Sequence, residues 1–151
     1  SNKTGAAAQR FAWVETIDRV KIAERLSAAR DAHLPALNIC VQVNISDEAG
    51  KSGVEPDAAL ALLRAVASQP RLALRGLMGI AEETSNIARQ RVQFRSLREL
   101  FDAARAEGLR LDTLSMGMSA DLEAAIAEGA TLVRVGTALF GPRTKKDREH
   151  A

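Results

Sequence analysis

Arg134, Gly136 and Thr137 stand within four positions of one another near the end of this 151-residue chain. A guanidinium, a residue without a side chain and a hydroxyl suit the binding of an anion. The run 131–135 reads as a short apolar strand, bounded by Gly136 and followed by one helical turn at Thr137–Phe140. Strand alternation sets Leu132 and Arg134 on one face, Val133 and Val135 on the other. A guanidinium that faces a core needs a partner or a ligand, because burying it unpaired is strongly unfavourable. Gly136 lets another group approach the backbone closely, and the N–H groups that open the next helical turn favour an anion. Gly117-Met118-Ser119 closes the preceding strand with a similar turn. A cation beside such turns predicts a ligand that carries a phosphate.

The rest of the chain must position these residues. Hydrophobic periodicity and the placing of Gly and Pro predict a helix over 4–11, a strand over 13–16 and a helix over 19–32 capped by Asp18. A strand over 37–46 follows. Its Leu37, Ile39, Val41, Val43 and Ile45 alternate with Asn38, Cys40, Gln42, Asn44 and Ser46, so one face is apolar and the other polar. Pro56 opens the next helix, and a strand over 72–80 leads through Asn86 to a long helix ending near Glu107. A strand over 111–116 and a helix over 120–128 complete the approach to 131–135. In the loop 47–55, Gly50-Lys51-Ser52 has the look of a nucleotide P-loop. That motif requires a Gly where this chain has Ile45, so a polar loop is the better reading.

Composition narrows the function. The net charge of +2 gives no basis for nucleic-acid binding, and with no Tyr and one Trp there is no stacking platform for bases. One cysteine and two histidines exclude a disulfide framework and leave little for a metal site. No apolar run is long enough to span a bilayer and no signal peptide is recognisable, so a cytoplasmic protein that binds neither membrane nor nucleic acid is expected.

Strict alternation of strands and helices predicts an α/β fold with a parallel sheet. The polar face of 37–46 and the inward Arg134 fit the lumen of a barrel better than a sheet covered on both sides. In (β/α)8 barrels a phosphate commonly lies after the last two strands, at a short extra helix, and here those strands end at Ser119 and Gly136. Only five strands are readable, however.

With these residues in place, the chain resembles the pyridoxal-phosphate (PLP) homeostasis proteins, whose fold is the barrel of the alanine racemase N-terminal domain. The matching text is Ser1-Asn2-Lys3, Thr16-Ile17-Asp18-Arg19, Gln42-Val43-Asn44-Ile45-Ser46, Lys51-Ser52-Gly53 and Leu74-Arg75-Gly76-Leu77-Met78. It continues with Leu114-Ser115-Met116-Gly117-Met118-Ser119 together with Asp121 and Glu123, then Val133-Arg134-Val135-Gly136-Thr137 and Phe140-Gly141. The resemblance implies a TIM-type (β/α)8 barrel truncated to its last five βα units, over 1–143, and the charged residues that follow read as a polar, disordered tail over 144–151. It also implies that the strand bearing the Schiff-base lysine is absent, so PLP is expected to bind weakly and without a covalent bond.

Carried onto this sequence, the resemblance makes Ser119, Gly136 and Thr137 the phosphate site and sets Arg134 against the pyridine nitrogen. Asn44 lines the pocket, and Lys51 reaches its mouth as a possible imine former. The implied role is cofactor buffering and delivery without catalysis. Each residue also has a plainer reading. Ser119 serves as an N-cap, Arg134 as a salt-bridge partner, Asn44 as an amide satisfied by backbone, and Lys51 as a solvated surface group. Asp121 and Glu123 suit the first turn of a helix rather than acid–base work. The alternatives are a PLP-dependent racemase or decarboxylase fragment, and a partial barrel that self-associates through open sheet edges.

Overall fold

The computed structural model describes residues 3–46 and 51–141. Among them helices and strands alternate: α1 Thr4–Arg10, β1 Trp13–Ile17, α2 Val20–Ala29, β2 Leu37–Val43, α3 Pro56–Ala67 and β3 Leu72–Gly79. Then follow α4 Ile87–Ala106, β4 Thr113–Met118, α5 Leu122–Ala127, β5 Leu132–Arg134 and α6 Thr137–Phe140. All four strand pairings are parallel and the strands lie in sequence order, β1-β2-β3-β4-β5. Right-handed crossovers in an order that never reverses put the four connecting helices, α2 to α5, on the same side. The result is a curled half-barrel, with helices outside and the other sheet face left as a lumen.

The alternation expected for β2 sets this division. Leu37, Ile39, Val41 and Val43 are buried on the helix side, against a core that includes Leu63, Leu77, Phe94, Leu97 and Leu114. Cys40 and Gln42 pair in register with Gly76 and Met78 and share the lumenal face with them. Gly76 lets the neighbouring strand approach closely, since a Cβ there would lie 1.6 Å from the carbonyl oxygen of Thr113.

Element ends differ from expectation for identifiable reasons. Strand β2 stops at Val43, because the chain returns from its loop and Val54 takes over the pairing. The amide of Val54 donates to Gln42 and that of Asn44 donates to Val54. Asp18 does not cap α2, whose N-cap is Arg19; the carboxylate accepts instead from the Arg19 guanidinium at 2.8 and 3.1 Å. Helix α2 ends at Ala29, where Arg30 turns extended and its buried guanidinium donates to the carbonyls of Ala8, Phe11 and Pro35. Strand β4 continues through Gly117 to Met118, two residues beyond the expected end. The tail 144–151, together with Gly50, lies outside the described residues.

Candidate functional site

The C-terminal ends of the strands converge on a cleft of about 1050 Å³ between the loop that follows β3, the turn that follows β4, and the segment from Arg134 to Gly141. Ser119, Arg134, Gly136 and Thr137 all line it. Arg134 ends β5 and extends into the lumen. One of its terminal nitrogens donates to the Ser115 hydroxyl at 2.6 Å, the other to the Gly79 carbonyl at 3.0 Å. The Glu15 carboxylate stands 4.0 Å away. Burial lowers the pKa of this guanidinium and the nearby Glu15 charge opposes the shift, so Arg134 remains a cation.

One end of the cleft is built from two turns. Gly117 takes φ +94°, a left-handed conformation that suits glycine, and swings the chain so that Ser119 faces α6. Asp121 locks this turn by accepting from the Met118 amide at 2.6 Å. Ser119 is therefore not the cap of α5; its hydroxyl oxygen accepts from the Ala138 amide at 3.2 Å. The amides of Gly136 and Thr137 donate to no carbonyl among the described residues. A Cβ placed on Gly136 would meet nothing within 4 Å, so the space beside these amides is open. The donors here are two free amides, the Ser119 hydroxyl and the exposed Thr137, a set suited to an oxygen-rich anion.

Asn44 does not join this group. It lies at the end of β2, where its amide nitrogen donates to Glu55 at 3.2 Å and its oxygen accepts from the Ser46 amide and hydroxyl. It is not among the residues that line the cleft. Lys51 also lies outside that lining, and Gly53 behind it packs against the backbone of Val43 and Asn44.

Several contributors were not foreseen. Gln90 and Gln93 are buried side chains of α4 that hold the wall of the cleft. Gln93 accepts from the Glu82 amide at 2.8 Å, and Gln90 donates to the Thr84 carbonyl at 2.6 Å. Glu15 and Ser115 were also missed as partners of Arg134. The available signal was an acidic residue inside a strand, at a lumenal position by alternation. Cys40 shares that face, and burial pushes its thiol up to about 12, so it is an unreactive filler. No cluster of metal-binding side chains occurs among the described residues.

A family model described as the alanine racemase N-terminal domain matches residues 2–144. The chain belongs to this family. Members of it named pyridoxal phosphate homeostasis protein are 58% identical to this chain in Pseudomonas aeruginosa and 49% identical in Escherichia coli, each over 143 residues. Each match covers 95% of this chain and 61% of the relative, so the chain spans about three fifths of those proteins. Among solved structures, PipY of Synechococcus elongatus with PLP bound is 34% identical, with a TM-score of 0.81 over 93% of this chain and 66% of PipY. A protein of unknown function from Bifidobacterium adolescentis reaches a TM-score of 0.86 at 36% identity, over 92% of this chain and 56% of that one. Alanine racemase from Clostridium difficile, at 12% identity and a TM-score of 0.71, shares the fold.

Proposed function

We propose that this chain binds pyridoxal 5′-phosphate, weakly and without a covalent bond, in a role of cofactor buffering and delivery rather than catalysis. The observation that carries the reading is the convergence of Ser119, Gly136 and Thr137 beside Arg134 in one cleft. The donor set fits the cofactor at both ends. A phosphate dianion only accepts hydrogen bonds, and the two free amides and the serine hydroxyl can supply them. The guanidinium has five N–H donors, of which two are engaged, so donors remain for a pyridine nitrogen. A cation at that nitrogen keeps it unprotonated and weakens the ring as an electron sink, which favours holding the cofactor over transforming it. The names of the relatives and the PLP-bound PipY structure support the same reading.

Titration of the full chain with PLP tests this reading by intrinsic absorbance and calorimetry. Saturable binding that weakens in both Arg134→Ala and Ser119→Ala is expected; affinity unchanged in both variants would refute the site. Borohydride reduction followed by mass spectrometry should yield no stoichiometric adduct, and a clean adduct on Lys51 or Lys3 would contradict the non-covalent mode. Strands β1 and β5 each have a single neighbour in the described sheet, and unpaired parallel edges recruit partners. We therefore also read the chain as self-associating, which light scattering checks: a stable monomer at high concentration would be the opposite result.

A further inference from the structure

Arg134 is not alone in the lumen, and its surroundings differ from those of an ordinary ion pair. The Ser115 hydroxyl, fully buried, donates its single proton to the Glu15 carboxylate at 2.7 Å and accepts from Arg134 at 2.6 Å. Carboxylate and guanidinium are thereby held 4.0 Å apart with a hydroxyl between them, although both are partly accessible. A pair built only for stability would close into direct contact, as Arg75 and Asp112 do at 2.6 Å. The contact is also long-range in the sheet. Three strand spacings of roughly 4.8 Å would put β1 and β4 about 14 Å apart in a flat sheet, beyond the reach of Glu15 and Ser115. Curling of the half-barrel brings them together across the lumen.

We propose that Glu15 is a positioning residue of the PLP site: through Ser115 it fixes the Arg134 guanidinium and offsets part of the positive field that a bound pyridine ring meets. The inference rests on the PLP reading above. The serine can give its proton in one direction only, so an acceptor at position 15 orients the hydroxyl toward Arg134 as an acceptor. Two of the arginine's donors are then committed, to Ser115 and to Gly79, and the rest are presented to the cleft in a fixed plane. Charges facing the guanidinium come from Glu15 on β1 and Asp121 beside α5, with the Cys40 thiol on β2. Of these, Glu15 is the one linked to it through a hydrogen-bonded bridge.

The probes are 4′-deoxypyridoxine 5′-phosphate, which has the ring nitrogen and the phosphate but no aldehyde, and glycerol 3-phosphate, which has the phosphate alone. Affinity is read by calorimetry, and ring protonation by the near-ultraviolet absorption of the bound ligand across pH. Ser115→Ala should weaken the ring-bearing ligand about tenfold and leave glycerol 3-phosphate unchanged, with Ser115→Thr restoring the loss. Glu15→Gln keeps an acceptor for the serine and removes the charge. It should lower the pH at which the bound ring protonates, whereas Arg134→Ala should raise it. A merely structural role for Glu15 predicts no such opposite displacement. If Arg134→Ala acts on the ring ligand but Glu15→Gln and Ser115→Ala do not, the positioning role is wrong and the PLP site stands. If Arg134→Ala has no effect on the ring ligand, both fall together.

Discussion

Arg75 and Arg134 both sit on the lumenal side of the same sheet, yet one closes its surroundings and the other leaves them open. Arg75, near the N-terminal ends of the strands, grips both oxygens of Asp112, donates to Asn38 at 2.9 Å and lies 4.8 Å from the centroid of the Trp13 ring. Its donors and its face are used within the protein. Arg134, at the C-terminal end, commits two nitrogens to an intervening serine and a carbonyl and keeps the remainder toward a cleft. The same side chain is thus a staple at one end and, in the proposed PLP reading, a recognition group at the other. The difference is how many of its donors the fold has already satisfied. This matches the division of labour in βα barrels, where the N-terminal face serves stability and the C-terminal face serves ligands.

The glycines repeat the contrast, and substituting them should give the most and least drastic structural outcomes. Gly76→Ala would drive a methyl group into the Thr113 carbonyl, and no flexible side chain can give way. A loss of roughly 4 kcal/mol or more is expected, visible as a collapse of the denaturant midpoint. Arg134→Ala should lower PLP affinity by about 10- to 100-fold while moving stability little, since it removes a charge-assisted donor rather than a core group. Gly136→Ala meets no atom, so stability should stay within about 0.5 kcal/mol while phosphate-ester affinity falls about tenfold, as the methyl fills the space beside the free amides. Arg75→Ala should do the converse, reducing the melting temperature modestly with ligand affinity unchanged. An Arg75→Ala variant that lost PLP binding would break the contrast between the two ends.

A smaller effect is expected at Glu128, which follows α5 and is buried against α4. Its carboxyl is held down to about 2 by hydrogen bonds from Arg95 and Arg91, well below an ordinary carboxylate near 4.5. A pKa lower in the folded than in the unfolded state stabilises the fold above the unfolded value and loses that contribution as pH falls through the folded one. The melting temperature should therefore be insensitive to this group from neutral pH to about 5 and decline between about 4.5 and 2. Glu128→Gln should flatten that part of the profile.

Much of this was legible in the sequence because it is local. The alternation in β2, the helix start at Pro56, the long helix that follows Asn86, and the turns at Gly117 and Gly136 all act within a few residues. Local pattern also located Ser119, Arg134, Gly136 and Thr137, which line one cleft. What escaped depends on the curvature of the sheet or on distant returns of the chain. Glu15 and Ser115 are 100 positions apart and meet only across a curled lumen. Asn44 was expected in the pocket because it continues the polar face of β2. The return of Val54 ends that strand at Val43, three residues before the expected end, and Asn44 turns to Ser46 and Glu55. Asp18 was similarly diverted from its helix by the adjacent guanidinium of Arg19.

Parallel calorimetric titrations of the wild type, Arg134→Ala and Arg75→Ala with PLP would decide whether the open end of the lumen holds the cofactor. Saturable binding by the wild type and Arg75→Ala, with a loss of about tenfold or more in Arg134→Ala, is the expected result. Equal affinity in all three, or a loss confined to Arg75→Ala, would contradict it.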